Sequence, residues 1–461
     1  MKFVTRSALF AALGLFLFSA ASDAGKPRKL PAGAYIKSAK IEIVSGDLGR
    51  YPTAIAMLDS LFLHYGPHAE GLDLMRKVMV DYVERASNPE AKMPHVEKMM
   101  AYYDSLKLCC ESKDVKSNYK KDCKEFLRVA DSTNVDYWRR FYNDGIDQLN
   151  RIEETARNLK TETDSAALAY MRASLEASTD SCLINMRLAI AVDPADHRTY
   201  IALGTVYEQE EKYPEAIEWL SKALELTDDK ATLVISIAYN YIKMGEYCQS
   251  IPYFKQYLEM TPTDIANMAN LAACYNNCSF LDSAMMIYEQ ILTIEPENMD
   301  ALISVGLFFN QQASNASVDA SKAREAGDEA GEKELRARQM ESFDSALVYF
   351  QRAAVVEPDN PDAVEQVAVV NAIRGNYEPA AKAFSKLVEL KPGESEHWTS
   401  LGDCYLYLKN YPEATKAYEE VVKLEPDNVP IWENLVDLYR EIKQPEKQKA
   451  AEKKLGELTG Q

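Results

Sequence analysis

The 461-residue sequence contains few of the residues that build turn-rich β folds, and few of those that most often carry catalysis. It has 18 glycines and 19 prolines, which disfavours a glycine-rich all-β chain. It has five histidines, and it lacks a phosphate-binding glycine-rich loop, a Gly-x-Ser-x-Gly elbow and a His-Glu-x-x-His pair. These absences argue against an enzyme. We therefore predict no catalytic residue, no metal site and no cofactor.

Two of the histidines have a metal-ligand spacing, because His64 and His68 are four residues apart. Gly66 and Pro67 lie between them and break a helix, so the pair cannot share one helical face. This favours a turn between repeats over a metal site.

Outside the N-terminus, no apolar run approaches the ~20 residues of a membrane span. Residues 8–21 are 14 apolar or small residues, preceded by Lys2 and Arg6. This is the pattern of a secretory signal peptide, with cleavage after Ala24 or, alternatively, after Ala21. We expect a signal peptide at 1–24, a short linker at 25–34, and an exported mature protein, periplasmic or extracellular, without a transmembrane span.

The net charge of −19 is unevenly distributed. Residues 25–160 hold 23 basic and 20 acidic residues, whereas residues 161–461 hold 27 basic and 50 acidic residues. Because nucleic acid is a polyanion, the acidic part should repel it, and we predict no nucleic-acid partner. The acidic surface suits either solubility or a basic partner.

A period of 34 residues organises most of the chain. Pro262 and Pro296 are 34 residues apart, and the same interval separates Pro358, Pro392 and Pro426. The interval from Pro296 to Pro358 is 62 residues, which is 28 more than one period. A fixed period of this size indicates stacked supersecondary units.

The period resembles the tetratricopeptide repeat, a pair of helices with small residues at the seam and proline at the end. The clearest copy, 395–428, has the signature residues Trp398, Leu401, Gly402, Tyr405, Ala414 and Pro426. The resemblance implies an all-α fold, a right-handed superhelical solenoid of antiparallel helix pairs. The seam should be filled by aromatic side chains such as Trp398.

The register divides the chain into regions. Residues 35–160 are a divergent helical region, either drifted repeats or a separate helical domain, with helices near 70–86, 94–109, 116–130 and 134–160. The repeat array covers 161–461. Its copies are 163–196, 197–230, 231–264, 265–298, 299–360 with a 28-residue insertion, 361–394, 395–428 and a capping unit at 429–461. Residues 311–341 form either a projecting helical hairpin or a disordered loop.

Eight cysteines in an exported chain suggest disulfides. Cys182, Cys274 and Cys404 fall at seam positions and should be buried thiols. Cys248 and Cys278 fall near the turns of neighbouring repeats, where a bridge is feasible if their Cα atoms lie within ~7 Å. Another bridge is plausible within the group Cys109, Cys110 and Cys123.

The resemblance also implies a binding groove, lined by positions 2, 5, 9 and 12 of each first helix. In the earlier repeats these positions include Ile201, Thr205, Glu208, Ile235, Tyr239, Asn276 and Asn310. In the last two they include Asp403, Glu433 and Asp437. The lysines with which some family members clamp a C-terminal carboxylate are absent. The groove therefore favours an extended segment with apolar residues and a basic end, unless these residues only support the superhelix.

We expect a non-enzymatic scaffold that binds a protein or an extended peptide in the cell envelope. One alternative is an envelope assembly or secretion factor, or a chaperone-like holder of exported proteins. An alternative of another class is a helical enzyme or metal-binding protein centred on 69–160. The sequence does not define the oligomeric state.

Overall fold

The protein is described by a computed structural model that covers residues 30–113 and 120–460. Over these residues it has twenty α-helices and no strand, which confirms the predicted all-α solenoid. No helix in the described part is long and apolar enough to cross a membrane. The predicted signal peptide and residues 25–29 of the predicted linker lie outside the described residues. The described residues divide into two compact units, one ending at Met244 and the other beginning at Gly245.

The first unit is built of successive helix pairs. A 3₁₀ turn at Leu48–Arg50 precedes its second helix. The helices are α1 (Ala32–Val44), α2 (Tyr51–Tyr65), α3 (Ala69–Arg85), α4 (Pro89–Glu111), α5 (Lys120–Leu159), α6 (Ser165–Val192), α7 (His197–Gln209), α8 (Tyr213–Leu226) and α9 (Ala231–Lys243).

Helix α5 corrects one prediction, because a single 40-residue helix replaces the two expected at 116–130 and 134–160. Two polar residues at the expected break find partners within the helix or across the unit. Asp131 accepts a hydrogen bond from the Tyr103 hydroxyl at 2.5 Å, and Thr133 donates to the Val129 carbonyl at 2.8 Å. Asn134 is buried. Tertiary contacts thus override the weak helix propensity of these residues.

The second unit continues the pairs to the end of the described chain. Its helices are α10 (Tyr247–Met260), α11 (Ile265–Asn277), α12 (Leu281–Ile294), α13 (Met299–Glu325), α14 (Glu329–Val356), α15 (Pro361–Ile373), α16 (Tyr377–Leu390), α17 (Ser395–Tyr407), α18 (Tyr411–Leu424), α19 (Val429–Glu441) and α20 (Pro445–Thr459).

The insertion at 311–341 is a helical hairpin, so the first of the two expected alternatives applies. It lengthens α13 and α14, which are 27 and 28 residues long, against 13 or 14 in the neighbouring repeats. At 1.5 Å per residue each arm adds about 20 Å. Gly327, at φ +75°, makes the turn between the arms, and Asp328 caps α14 by accepting from the Gly331 amide at 2.9 Å.

Several repeats end and restart through a short local signal. In these repeats a proline follows the second helix, and an Asp or Asn two residues later caps the next first helix. Helices α9 and α17 begin after Lys230 and Glu394, without a side-chain cap. Asp264, for example, accepts from the Asn267 amide at 3.1 Å, and Asn298 accepts from the Ala301 amide at 3.0 Å. The side chains of Asp196, Asn360 and Asn428 cap α7, α15 and α19 in the same way.

The turn inside each repeat requires one residue in the left-handed region. Gly245 and Gly375 supply it in two repeats, at φ +77° and +78°. Glu211, Ser279, Lys409 and Lys443 occupy the same repeat position with φ between 57° and 63°. For a residue with a side chain this conformation costs about 1–2 kcal/mol. The four residues adopt it because the packing of the helix pair requires it.

The two helices of a repeat come close together where the first carries glycine. A Cβ on Gly204 would lie 2.7 Å from the Leu220 side chain. Gly306 faces Phe350 and Gly402 faces Tyr418 at equally close range. The large side chain of the second helix therefore fills the space that the missing Cβ leaves.

Trp398 lies between two clusters of buried side chains but is only half-buried. Its Nε1 donates to the Pro392 carbonyl at 3.0 Å, and Trp432 makes the equivalent bond to Pro426 at 2.9 Å. The indole thus links the first helix to the preceding proline turn, in addition to filling the seam.

We predict that Gly402→Ala lowers the free energy of unfolding by about 1–3 kcal/mol, although alanine has the higher helix propensity. The new methyl would overlap the Tyr418 ring, which is fully buried and whose hydroxyl donates to Asp403 at 2.5 Å. Urea unfolding monitored by circular dichroism measures the change. Gly393→Ala is the matched control, because its Cβ would meet nothing within 4 Å. Equal midpoints for the two variants would contradict the packing described here.

Candidate functional site

The predicted groove residues differ in their accessibility. Tyr239 is 40% exposed, and Asn276 is also exposed. The half-buried residues are Ile201, Thr205, Ile235 and Asn310. Thr205 uses its hydroxyl locally, since Oγ1 donates to the Ile201 carbonyl at 3.1 Å. Of the groove residues predicted in the first unit, Tyr239 and Glu208 line a cavity.

This cavity, of about 890 Å³, lies between the last turns of α5 and helices α7 and α9. It has both apolar and charged walls. Tyr239 and Ser236 lie on α9, and Tyr213 begins α8. The acidic lining residues are Glu153, Glu208 and Glu211, and the basic ones are Arg157, Lys160 and Lys243.

Glu208 has the most unusual environment among the charged lining residues. Burial raises the pKa of its carboxyl group, although a hydrogen bond from Asn240 Nδ2 to Oε1 opposes that shift. Asn240 also donates to the Ser236 carbonyl at 2.9 Å, which fixes the orientation of its amide. Within the described residues, Glu208 forms no ion pair with a Lys or Arg. Its charge is therefore poorly compensated.

Part of this site was not predictable from the repeat register. Glu153, Arg157 and Lys160 come from α5, which lies outside the repeats whose groove positions can be counted. Asn240 and Ser236 lie on a first helix, but at repeat positions 10 and 6 rather than at groove positions. The sequence offers one signal for Asn240, because it is a polar residue that directly follows Tyr239 in an apolar helix.

A second cavity, of about 490 Å³, lies in the second unit at the base of the hairpin. Its walls are the turn before α12, the extended part of α13, and α14. Phe280 is 53% exposed at its edge, and Phe308 and Leu335 complete the apolar wall. Gln311, Gln312, Asn315 and Arg338 line the polar side. Neither Asn276 nor Asn310 lines it.

The three acidic groove residues of the last repeats are not equivalent. Asp403 accepts the hydrogen bond from Tyr418, and Asp437 pairs with Arg440 at 2.8 Å. Glu433 is exposed and forms no ion pair within the described residues. Of these three residues, Glu433 is therefore the one that a binding partner can contact without displacing a hydrogen-bond or ion-pair partner within the described chain.

The cysteines form two disulfides among the described residues. Cys248 is joined to Cys278, with a Cα–Cα distance of 5.7 Å. Cys110 is joined to Cys123, with a Cα–Cα distance of 5.5 Å, and the Cys109 thiol lies 3.6 Å from the Pro67 carbonyl. Cys182, Cys274 and Cys404 are buried thiols. Each bridge ties the end of one helix to its neighbour.

The divergent region contains one buried charge cluster that the sequence reading missed. Asp73 and Arg76 are each 1% exposed, and Asp73 pairs with Arg76 at 3.3 Å and with Lys77 at 2.7 Å. The Asp73 carboxylate thus pairs with the buried Arg76 and with Lys77, whose side chain is half exposed. His64 and His68 lie on either side of the break at Gly66, whose φ is +72°. No group of three metal-ligating side chains occurs within residues 30–113 and 120–460.

Family comparison matches parts of both units. Models of the tetratricopeptide repeat match residues 197–230 and 231–264, residues 335–395, and residues 395–428. These segments are tetratricopeptide repeats. Two of these segments contain Gly204 and Gly402, whose helices approach the second helix of the repeat closely.

Solved structures similar to parts of the chain include tetratricopeptide repeat proteins. One from Parabacteroides merdae is 16% identical, covers 57% of this chain and 93% of its own, and has a TM-score of 0.35. YrrB, described as a TPR protein with an unusual peptide-binding site, is 19% identical, with 47% and 98% coverage and a TM-score of 0.35. MamA from Desulfovibrio magneticus is 16% identical, with 43% and 97% coverage and a TM-score of 0.33. No curated protein sequence matches the chain.

We predict that Glu208→Gln maintains or raises stability near neutral pH and flattens its dependence on pH. A carboxyl group whose pKa is raised by folding stabilises the fold while protonated, and that contribution is lost as the pH rises through the raised pKa. Glutamine keeps the oxygen that accepts from Asn240 and carries no charge to lose. Urea unfolding of both proteins between about pH 4 and pH 8 measures this difference. A larger loss of stability in the variant at pH 8 than at pH 4 would contradict the direction of the pKa shift.

Proposed function

We propose that this chain is a non-enzymatic scaffold whose first-helix surface binds an extended segment of an exported partner protein. The tetratricopeptide repeats support a role in protein interaction. The finer proposal rests on one observation, that the cavity of the first unit is lined by Tyr239 and Glu208 at groove positions of two consecutive repeats. A cleft with an aromatic wall and a few polar groups suits a peptide better than a flat surface does.

We propose further that the bound segment carries basic residues. The chain carries a net charge of −19, and residues 161–461, with 27 basic and 50 acidic residues, account for all of this excess of negative charge. Exposed acidic groups such as Glu433 would attract a basic segment and speed its capture. Because these charges are exposed, salt should weaken their effect.

We predict that Tyr239→Ala weakens the binding of selected peptides by about tenfold or more. An aromatic side chain at the wall of a cleft contributes through desolvated contact, so its loss should act mainly on the dissociation rate. The probes are dodecapeptides selected from a random library on the full chain, and their affinities are measured by calorimetry.

The control for this variant is Tyr170→Ala, which removes a 77% exposed tyrosine of α6 outside the cavity. Equal affinities for the two variants would contradict the proposed site. Selection of unrelated peptides with no shared feature would favour the chaperone-like holder instead. A role as an envelope assembly or secretion factor would be compatible with a shared motif.

The proposed location is the periplasm or the cell exterior. Two features support it: the charged and apolar pattern of residues 1–24, and the two disulfides, which persist in oxidising compartments. Closing the 30-residue loop between Cys248 and Cys278 should stabilise the fold by about 3–4 kcal/mol.

We predict that chain recovered from the envelope or medium carries both bridges and begins near Gly25. Non-reducing peptide mapping and N-terminal sequencing test this. Cys248→Ser should lower the free energy of unfolding by about 3–4 kcal/mol, because it opens the loop to Cys278. Cys109→Ser, which removes a free thiol, should keep both bridges. A fully reduced, uncleaved chain in the cytosol would overturn the proposed location.

A further inference from the structure

We propose that Glu208 is the receptor for a lysine side chain of the bound segment. This inference rests on the proposed peptide-binding function and names the feature that the first-unit cavity recognises. It places recognition of a cation in the cavity of the first unit, at a half-buried carboxylate, in addition to the exposed acidic surface of the last repeats.

The first argument is the uncompensated charge of Glu208. The carboxylate is half-buried at the wall of an 890 Å³ cavity, and it forms no ion pair with a cation of the described chain. A partly desolvated carboxylate gains more from an incoming cation than an exposed one does, because water screens the interaction less. The cavity supplies the space through which a cation can reach it.

The second argument is the charge on the surrounding elements. Helix α5 contributes Glu153, Arg157 and Lys160, the turn after α7 contributes Glu211, and α9 contributes Lys243. None of the three cations contributes to the pKa of Glu208, which is set by burial and by Asn240. A cationic group of a ligand would therefore provide what the protein's own cations do not.

The third argument selects lysine over arginine. Asn240 Nδ2 already occupies Oε1 of Glu208, and its amide is fixed by the second bond to the Ser236 carbonyl. Within the described residues the other carboxylate oxygen accepts no hydrogen bond, which suits the single-point contact of an ammonium better than the two-pronged contact of a guanidinium. The apolar stem of lysine can lie against the Tyr239 ring at the cavity wall.

The test uses the dodecapeptides selected on the full chain, with acetylated and amidated ends. Lysine should be enriched in them, and replacing it with norleucine, which keeps the stem and removes the charge, should weaken binding by about tenfold or more. Glu208→Gln should weaken the binding of the lysine peptide to a similar extent and leave the affinity for the norleucine peptide unchanged. The matched control is Glu153→Gln, which removes an exposed carboxylate from the same cavity.

A pH series gives an independent readout. Lowering the pH from about 7.5 to about 5 should weaken the binding of the lysine peptide to the unmutated protein. Burial makes the Glu208 carboxylate lose its charge at a higher pH than an ordinary glutamate does. The Glu208→Gln variant should lack this component. Additive effects of norleucine and Glu208→Gln in the double-mutant cycle would overturn the inference.

Two other outcomes separate the possible failures. If end acetylation abolishes binding, the N-terminal amine rather than lysine is the recognised ammonium, and the assignment to lysine is wrong. If Tyr239→Ala weakens the peptides but Glu208→Gln does not, the proposed function stands and this inference fails. If neither variant weakens the binding of the peptides, both the proposed function and this inference fail.

Discussion

The close approach of two helices at a small seam residue, which is glycine in three of the repeats, determines how these repeats are built. Gly204, Gly306 and Gly402 face Leu220, Phe350 and Tyr418 across the seam, where a Cβ would collide with the side chain. This contact fixes the distance and rotation of the first helix relative to the second. The groove positions then face outward because the opposite side of the same helix is committed to the seam. The accessible position of Tyr239 is a consequence of the same geometry in a repeat that has Ala238 at the glycine place.

The repeat helices were predictable because their signals are local. A proline, a capping Asp or Asn and a seam glycine recur at fixed positions, and each acts within a few residues or across one turn. Helix α5 was not predictable in this way. Asp131 and Thr133 resemble a helix break in sequence, but Tyr103, 28 residues earlier, satisfies Asp131. The hairpin was an intermediate case. Residues 311–341 are rich in residues that favour helices, but their composition is also compatible with a disordered loop.

The candidate site shows the same division between local and distant information. The register placed Tyr239 and Glu208 on the groove. It could not show that Glu208 has no ion-pair partner among the described residues, while Asp403 accepts a hydrogen bond from Tyr418. That difference depends on which side chains the neighbouring helices bring close. The α5 wall of the cavity was missed for a related reason, because α5 lies beyond the countable repeats. Side-chain identity at a groove position therefore identifies candidates, and packing decides which of them are free to bind.

A carboxylate such as Glu208 is costly to the unbound protein. Its ionisation is opposed by burial, and the Asn240 amide offsets only part of that cost. A role in folding alone would be served as well by glutamine, which keeps the same hydrogen bond without the charge. The charge becomes useful only if something else compensates it. Because the carboxylate borders a cavity, the compensating cation can come from outside the chain, and a binding role explains the residue better than a structural one.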